Sequence, residues 1–184
     1  MAVFTGATGG QYEYGMEKFL AEARTLAKFI KQPGIVTVRD FFQENNTAYA
    51  VWAYIGDSRL YHFSKGKLVS QTNDHSVPQM MVNAGEISQD QIRDHEDRNR
   101  LTRVFDEKNE IKPDILDKPL TLQEGDAFLL CTDGVWEIVF ESEIAEELRK
   151  ANLPRDWLKG IEETLLKRVD PKHDNYSAIA VMIN

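Results

Sequence analysis

Three aspartates stand where the sequence predicts that strands end: Asp57 in IGDSR, Asp133 in CTDGV and Asp174 in HDNYS. A carboxylate at such a position is held by the sheet and yet can point into a cleft. Carboxylate oxygens are the ligands that Mg²⁺ and Mn²⁺ prefer, and these ions make water a nucleophile for phosphorus near neutral pH. The alternative is that each aspartate is a turn former whose side chain bonds its own backbone.

The four histidines lack the spacing typical of zinc sites, which favours a site made of oxygen ligands. His75 and His173 each stand beside an aspartate and are candidates for protonating a leaving oxygen, with a structural role as the alternative. His62 lies in an alternating strand pattern, and we predict that it is exposed at the surface.

Four arginines are candidates for holding a phosphate through forked hydrogen bonds, namely Arg59, Arg98, Arg100 and Arg103. The alternative for the last three is ion pairing with the neighbouring acidic residues of RDHEDRNR. Trp136 follows the CTDG segment and is interpreted as a core or rim packing residue, with a substrate platform as the alternative.

The elements that must position these residues follow from apolar periodicity. Apolar residues at helical spacing predict a helix from Met16 to Ile30. The segments GIVTVRDFF and TAYAVWAYI predict a hairpin around QENN, and RLYHF and KLVSQT predict another around Lys65 and Gly66. Short helices are predicted in VPQMMVNAG and, after Ser88, in QDQIRDH.

The last third of the chain predicts a buried strand in AFLLC, two helices and a closing strand in NYSAIAVMI. The first helix is ESEIAEELRK with Ser142 as its predicted cap, and the second runs from about Arg155 to Arg168 behind Pro154. This order of strands and helices indicates an α+β fold.

Composition narrows the function classes. The chain has 184 residues, 42% of them hydrophobic and 28% charged, which suits a single globular domain. A net charge of -8 argues against nucleic acid as a partner. Cys131 is the single cysteine, so an internal disulfide is excluded, and the sequence contains no apolar stretch of membrane-spanning length. We expect a cytoplasmic protein with no membrane partner.

Five segments resemble, in order and spacing, the PPM-type metal-dependent serine/threonine protein phosphatases. They are YIGDSRLYHF, QTNDHSVPQMMVNAGEI, RDHEDRNRLTRVF, DAFLLCTDGVWEIV and DNYSAIAV, and the resemblance covers roughly residues 47 to 184. It implies a two-sheet β-sandwich flanked by helices, with a binuclear Mg²⁺ or Mn²⁺ centre at one end that hydrolyses phosphoserine and phosphothreonine in proteins.

The same resemblance implies roles for single residues. Asp133 and Asp174 correspond to catalytic ligands of the second metal, and Asp57 corresponds to a ligand of a third, weaker metal that shares Asp133. Residues 74 to 103 correspond to a flap over the cleft. The substrate-binding candidates are His75 and Arg98, which lie in that segment, and Arg59, which lies before it.

The N-terminal quarter departs from the family. Family members begin with a strand whose arginine grips the phosphate, followed by an Asp-Gly-x-Gly-Gly block whose aspartate bridges two metals. The nearest segment here is VFTGATGG, which puts Thr5 and Gly6 at the bridging position, and a hydroxyl cannot replace a bridging carboxylate. We therefore expect an N-terminally truncated sandwich with one metal site or weak occupancy. Reduced activity follows, with an inactive pseudophosphatase or protein-binding module as the alternative.

Residues 1–184 are expected to form one phosphatase-like domain, in which 1–46 are an atypical helix plus strand and 47–184 the PPM-like portion. Residues 16–55 also resemble the helix C to strand 5 region of a protein-kinase N-lobe, with chance similarity as the alternative. The kinase lysine strand and catalytic loops are missing from the sequence, so kinase activity is excluded. The expected partners are a phosphoprotein or another protein, and a second copy of the chain could cover an exposed sheet edge.

Overall fold

A computed structural model describes residues 37–44, 47–104, 112–170 and 173–183. The helix predicted from Met16 to Ile30, and the bridging position at Thr5 and Gly6, lie outside the described residues. The described strands are β1 Thr37–Glu44, β2 Thr47–Tyr54, β3 Arg59–Ser64, β4 Lys67–Gln71, β5 Asp114–Ile115, β6 Leu120–Thr121, β7 Asp126–Cys131 and β8 Ala178–Met182. The described α-helices are α1 Val77–Asn83, α2 Asp133–Trp136, α3 Glu141–Lys150 and α4 Pro154–Leu166, and a 3-10 turn spans Gln89–Ile92.

The strands form two antiparallel sheets. In the first sheet the order is β1-β2-β5, with β6 also paired to β2, and in the second it is β4-β3-β7-β8. Both predicted hairpins are confirmed, since β1 pairs with β2 and β3 pairs with β4. The turn of the second hairpin places Lys65 at φ 50° and Gly66 at φ 72°, a left-handed conformation that glycine adopts without strain.

The second sheet has a covered face on each side. Tyr61 and Phe63 of β3 pack in one cluster with residues of α3 and α4, and Leu60 packs in another with Phe128 and Trp52. Because both faces are covered, the alternation of β3 has no exposed side. The prediction that His62 is exposed was therefore wrong: His62 is only 6% exposed and stacks on Phe128 with ring centroids 4.7 Å apart.

Helices α3 and α4 cover the outer face of the second sheet. The indole of Trp157 is fully buried, and its N–H donates to the carbonyl of Ile144 at 2.9 Å, which fixes α4 against α3. The predicted cap of α3 was wrong, because the helix begins at Glu141 behind Phe140 rather than behind Ser142. Glu143 reaches back instead, and its carboxylate accepts the Phe140 backbone N–H at 3.0 Å.

Strand register brings three loops together where the strands of the second sheet begin or end, and we refer to this side of the sheet as one edge. Arg59 at the start of β3 lies opposite Cys131 at the end of β7, and Cys131 lies opposite Ala178 at the start of β8. The loop before β3, the loop after β7 and the loop before β8 therefore share this edge. Among the described residues, no helix combines the length and the apolarity that crossing a bilayer would demand.

Candidate functional site

The three predicted aspartates lie on these three loops, and we call this part of the molecule the acidic edge, defined by Asp57, Asp133 and Asp174. Asp57 precedes β3, Asp133 opens α2 directly after β7, and Asp174 precedes β8. Asp57 and Asp133 are partly buried, whereas Asp174 is exposed. The sheet thus gathers the loops that carry the candidate ligands, as their positions at strand ends predict.

The negative charge of Asp133 acts on Asp57. Burial, followed by the negative charge of Asp133, raises the pKa of Asp57 to about 6. Burial and a nearby negative charge both disfavour the ionised form of a carboxylate. A divalent cation held by these carboxylates would offset the repulsion between their charges, so their chemistry fits a hard ion such as Mg²⁺ or Mn²⁺.

Asp133 and Asp174 are linked through backbone rather than through each other. Each carboxylate accepts the N–H of the next residue, from Gly134 at 2.8 Å and from Asn175 at 2.7 Å. The two loops touch closely, because a Cβ on Gly134 would overlap the carbonyl oxygen of Asn175. The ring of His173 adds a bond from Nε2 to the Gly134 carbonyl oxygen at 2.8 Å. Both aspartates therefore also make the local turn bonds of the alternative interpretation.

The donors present fit a metal only in part. Over residues 37–44, 47–104, 112–170 and 173–183, no three or more histidine, cysteine, aspartate or glutamate side chains gather in a group that could hold a metal ion. The Asp57 and Asp133 pair thus supplies oxygen ligands of the right type, but Asp174 is not drawn into one cluster with them.

His75 lies beneath the acidic edge and is buried. Its Nδ1 accepts the Gly56 backbone N–H at 3.1 Å, so the ring proton lies on Nε2, which donates to Asp114 at 3.1 Å. The ring also stacks on Tyr54 with centroids 4.9 Å apart. Burial lowers the pKa of His75, which keeps the ring neutral in this environment. His75 therefore binds the loop before β3 instead of facing the surface.

Arg59 lies inside the molecule, only 3% exposed. It makes a forked pair with Asp74, from Nε at 2.9 Å and from Nη2 at 2.8 Å, and a further contact with Glu141 at 3.5 Å. Burial opposes its charge most strongly, but the hydrogen bonds and charges of Asp74 and Tyr61 together outweigh burial and raise the pKa of Arg59. Its forked donors are thus directed at a carboxylate of the flap segment.

The other candidate arginines also form ion pairs. Arg98 donates to Glu137 at 2.7 Å, Arg100 to Asp97 at 3.2 Å and Arg103 to Asp114 at 2.6 Å. Ion pairing is therefore observed for the whole cluster, and the partners of Arg98 and Arg103 lie outside the RDHEDRNR segment in which they were expected.

Sequence reasoning interpreted Trp136 as a packing residue. Its indole N–H donates to the backbone carbonyl of Asp57 at 2.9 Å, and the guanidinium carbon of Arg59 lies 3.6 Å from the ring centroid. The only sequence signal was its place three residues after Asp133. Its partner lies 79 residues earlier, and no local pattern predicts such a contact.

Comparisons with known proteins agree with this fold. No protein-family model matches the chain. Protein phosphatase PhpP of Streptococcus pneumoniae is 32% identical over 97 residues, which are 53% of this chain and 39% of that protein. The chain thus spans about two fifths of the length of the curated relatives that it matches.

Solved structures extend the likeness to nearly the whole chain. The serine/threonine phosphatase PstP/Ppp of Mycobacterium tuberculosis is 25% identical with a TM-score of 0.62, covering 90% of this chain and 68% of that one. The catalytic domain of PstP in complex with two manganese ions is 20% identical with a TM-score of 0.61, covering 99% and 90%. None of these proteins is a kinase, so the kinase resemblance of residues 16–55 finds no support in them. The chain has the α+β fold of PPM-type phosphatases, and its homologues and structural neighbours are serine/threonine phosphatases of that type.

Proposed function

We propose that the chain is a PPM-type phosphatase-like domain that hydrolyses phosphoserine and phosphothreonine in proteins with the help of Mg²⁺ or Mn²⁺. The observation that carries the proposal is the acidic edge. Asp57 and Asp133 lie on loops that meet at this edge, and burial together with the charge of Asp133 raises the pKa of Asp57 to about 6, in a fold shared with serine/threonine phosphatases.

The metal-holding residues in this proposal are Asp57 and Asp133, with Asp174 as a further ligand. A bound Mg²⁺ or Mn²⁺ would supply the Lewis acidity that lowers the pKa of water and offsets charge on a phosphoryl group. One solved neighbour, PstP, is described in complex with two manganese ions, which supports the choice of metal. The contribution of this chain is to hold the carboxylates at fixed positions on the sheet edge.

Substrate contacts in this proposal come from the flap segment, residues 74 to 103. The side chain of Arg98 is 36% exposed, so a phosphate could compete with Glu137 for its donors. Arg59 and His75 are buried and bonded within the protein. They therefore act on substrate indirectly, through the position of the flap and of the loop before β3.

A specific observation favours the second candidate, an inactive pseudophosphatase or protein-binding module. In the part of the chain that the structure describes, no metal-holding group of three or more side chains gathers at the acidic edge. Such a site would bind metal weakly, which fits an activity that is reduced or lost.

A metal-dependent assay separates the two candidates. We expect the protein to hydrolyse p-nitrophenyl phosphate and a phosphothreonine peptide in the presence of Mn²⁺, and Asp133→Ala to lower kcat at least about 100-fold, because it removes one of the proposed metal ligands. Equal, slow turnover by the wild type and Asp133→Ala would leave only the pseudophosphatase.

The remaining expectations are part of the same proposal. The partner is a phosphoprotein or another protein, a second copy of the chain covers an exposed sheet edge, and the location is the cytoplasm. The resemblance of residues 16–55 to a kinase N-lobe stays a prediction.

A further inference from the structure

The turn between β2 and β3 is held by hydrogen bonds from two different elements. Gly56 adopts φ 95°, and a Cβ built on it would meet no atom within 4 Å. Glycine has wide conformational freedom and Gly56 has no side chain to fix it, so this turn needs other contacts to hold one geometry. The next residue is Asp57, whose carboxylate belongs to the acidic edge.

We propose that Trp136 and His75 are positioning residues that clamp the Gly56 and Asp57 turn from two sides and so set the place of the Asp57 carboxylate relative to Asp133. The metal-related part of this inference rests on the proposed function, whereas the clamp itself is a property of the metal-free protein.

The first side of the clamp is α2. This helix begins with Asp133 and ends with Trp136, whose indole N–H donates to the Asp57 carbonyl oxygen at 2.9 Å. One short element therefore carries a candidate ligand at its start and holds the turn of another ligand at its end. The ring is 1% exposed, and the guanidinium of Arg59 packs over one of its faces, which holds the ring in place.

The second side of the clamp is the flap segment. The His75 backbone N–H donates to the Gly56 carbonyl oxygen at 2.8 Å, and the Gly56 N–H donates to the His75 ring at 3.1 Å. The pair closes a ring of two reciprocal bonds. Asp114 of β5 orients the imidazole from its far side at 3.1 Å. The turn is thereby connected to both sheets and to the flap.

The chain offers a matched control for Trp136. Trp157 is also fully buried, and its indole N–H also donates to a backbone carbonyl at 2.9 Å, but it does so between α3 and α4, in the helix layer. Trp136→Phe and Trp157→Phe each remove one indole donor and keep an aromatic ring. Any effect that is only structural should appear in both variants.

The first experiment measures amide hydrogen exchange at Gly56 and His75 in the metal-free protein, and Mn²⁺ binding by calorimetry. We expect Trp136→Phe to speed exchange at both amides at least about 10-fold and to weaken Mn²⁺ binding about 10- to 100-fold, the usual effect of losing an outer partner of a metal ligand. Trp157→Phe should leave both values at the wild-type level. Equal effects in the two variants, or none in Trp136→Phe, would overturn the role of Trp136.

The second experiment separates the two contacts of His75. Asparagine can place an acceptor oxygen near the position of Nδ1, whereas glutamine reaches toward the position of Nε2. We expect His75→Asn to keep the Gly56 amide protected and His75→Gln to lose that protection about 10-fold. The reverse order would overturn the role of His75. A wild-type protein that binds no Mn²⁺ would refute the proposed function, while the exchange rates would still decide whether the clamp exists.

Discussion

Asp57 carries a charge that the fold disfavours. Its pKa is raised from 3.8 to about 6, first by burial and then by Asp133. Between these two pH values the folded protein holds a proton that the unfolded chain has released. The free energy of unfolding therefore loses a contribution from this group as the pH rises from about 4 to about 6.

Asp57→Asn should remove this penalty. In the metal-free protein at pH 7 we expect a stabilisation of about 1 kcal/mol, a value discounted for the solvent that screens a partly exposed group. At pH 4 the variant and the wild type should differ little, because the aspartate is then protonated in the folded state. Urea unfolding at both pH values in the presence of a chelator measures the difference. A stabilisation of the same size at both pH values would contradict the assigned cause.

Residue identities at the acidic edge could be predicted from sequence, but most partners could not. Asp57 and Asp133 can be recognised in the sequence because each follows an apolar run. The partner of Arg59 is Asp74, 15 residues away across a hairpin, and their pairing depends on how that hairpin bends back. A forked arginine looks the same in sequence whether it is directed at a phosphate or at a buried carboxylate.

At the scale of elements, the close approach of two loops depends on one glycine. Gly134 sits where the loop before β8 crosses α2, and a Cβ there would overlap the Asn175 carbonyl oxygen. Backbone cannot yield as a flexible side chain can. The loops of Asp133 and Asp174 must therefore separate if any side chain is added at this position.

Gly134→Ala should destabilise the protein by about 1–3 kcal/mol, the usual cost of forcing extra atoms into a packed site. Gly160→Ala is the control, because the nearest atoms to a Cβ there belong to the flexible Glu147 side chain, and alanine gains up to about 1 kcal/mol over glycine inside a helix. Urea unfolding of the two variants measures the contrast. If Gly134→Ala were no less stable than Gly160→Ala, the loops of Asp133 and Asp174 would not depend on a glycine at position 134.

Elements were predictable where the signal is local. Both hairpins, the AFLLC strand and the two long helices follow from periodicity, and the structure confirms them. The burial of His62 could not be predicted from the alternation of β3. Alternation indicates that a strand has one buried face. In the second sheet both faces are buried, because helices cover one side and the first sheet covers the other. The predicted cap of α3 was wrong for a local reason. Ser142 and Glu143 are adjacent in sequence, and it is the Glu143 carboxylate that accepts the free backbone N–H of Phe140 at the start of the helix.

For the whole molecule, the order of layers is a long-range property. Strands β3 and β7 pair although more than 60 residues separate them, and no turn signal connects the two. The sandwich could be expected from the resemblance to phosphatases, not from periodicity alone. The two sheets and the helix layer explain why one edge collects loops from distant parts of the chain, since every second-sheet strand that ends or begins there contributes one.

The same sheet order bears on self-association. Strand β4 is an edge strand of the second sheet. A bulge interrupts its pairing with β3 at Val69, which is 58% exposed. A bulge and the neighbouring Lys67 are features that discourage a second strand from pairing at an edge. If the chain forms the proposed homodimer, β4 is therefore not the edge that joins the two copies.

Light scattering over a range of concentrations tests this expectation. We expect a mass that approaches twice that of the monomer and does not change in Val69→Lys, because an added charge on β4 would affect only a dimer joined through that strand. A strict monomer at all concentrations would refute the homodimer. A wild-type dimer that Val69→Lys converts to a monomer would instead identify β4 as the interface and show that its bulge does not protect it.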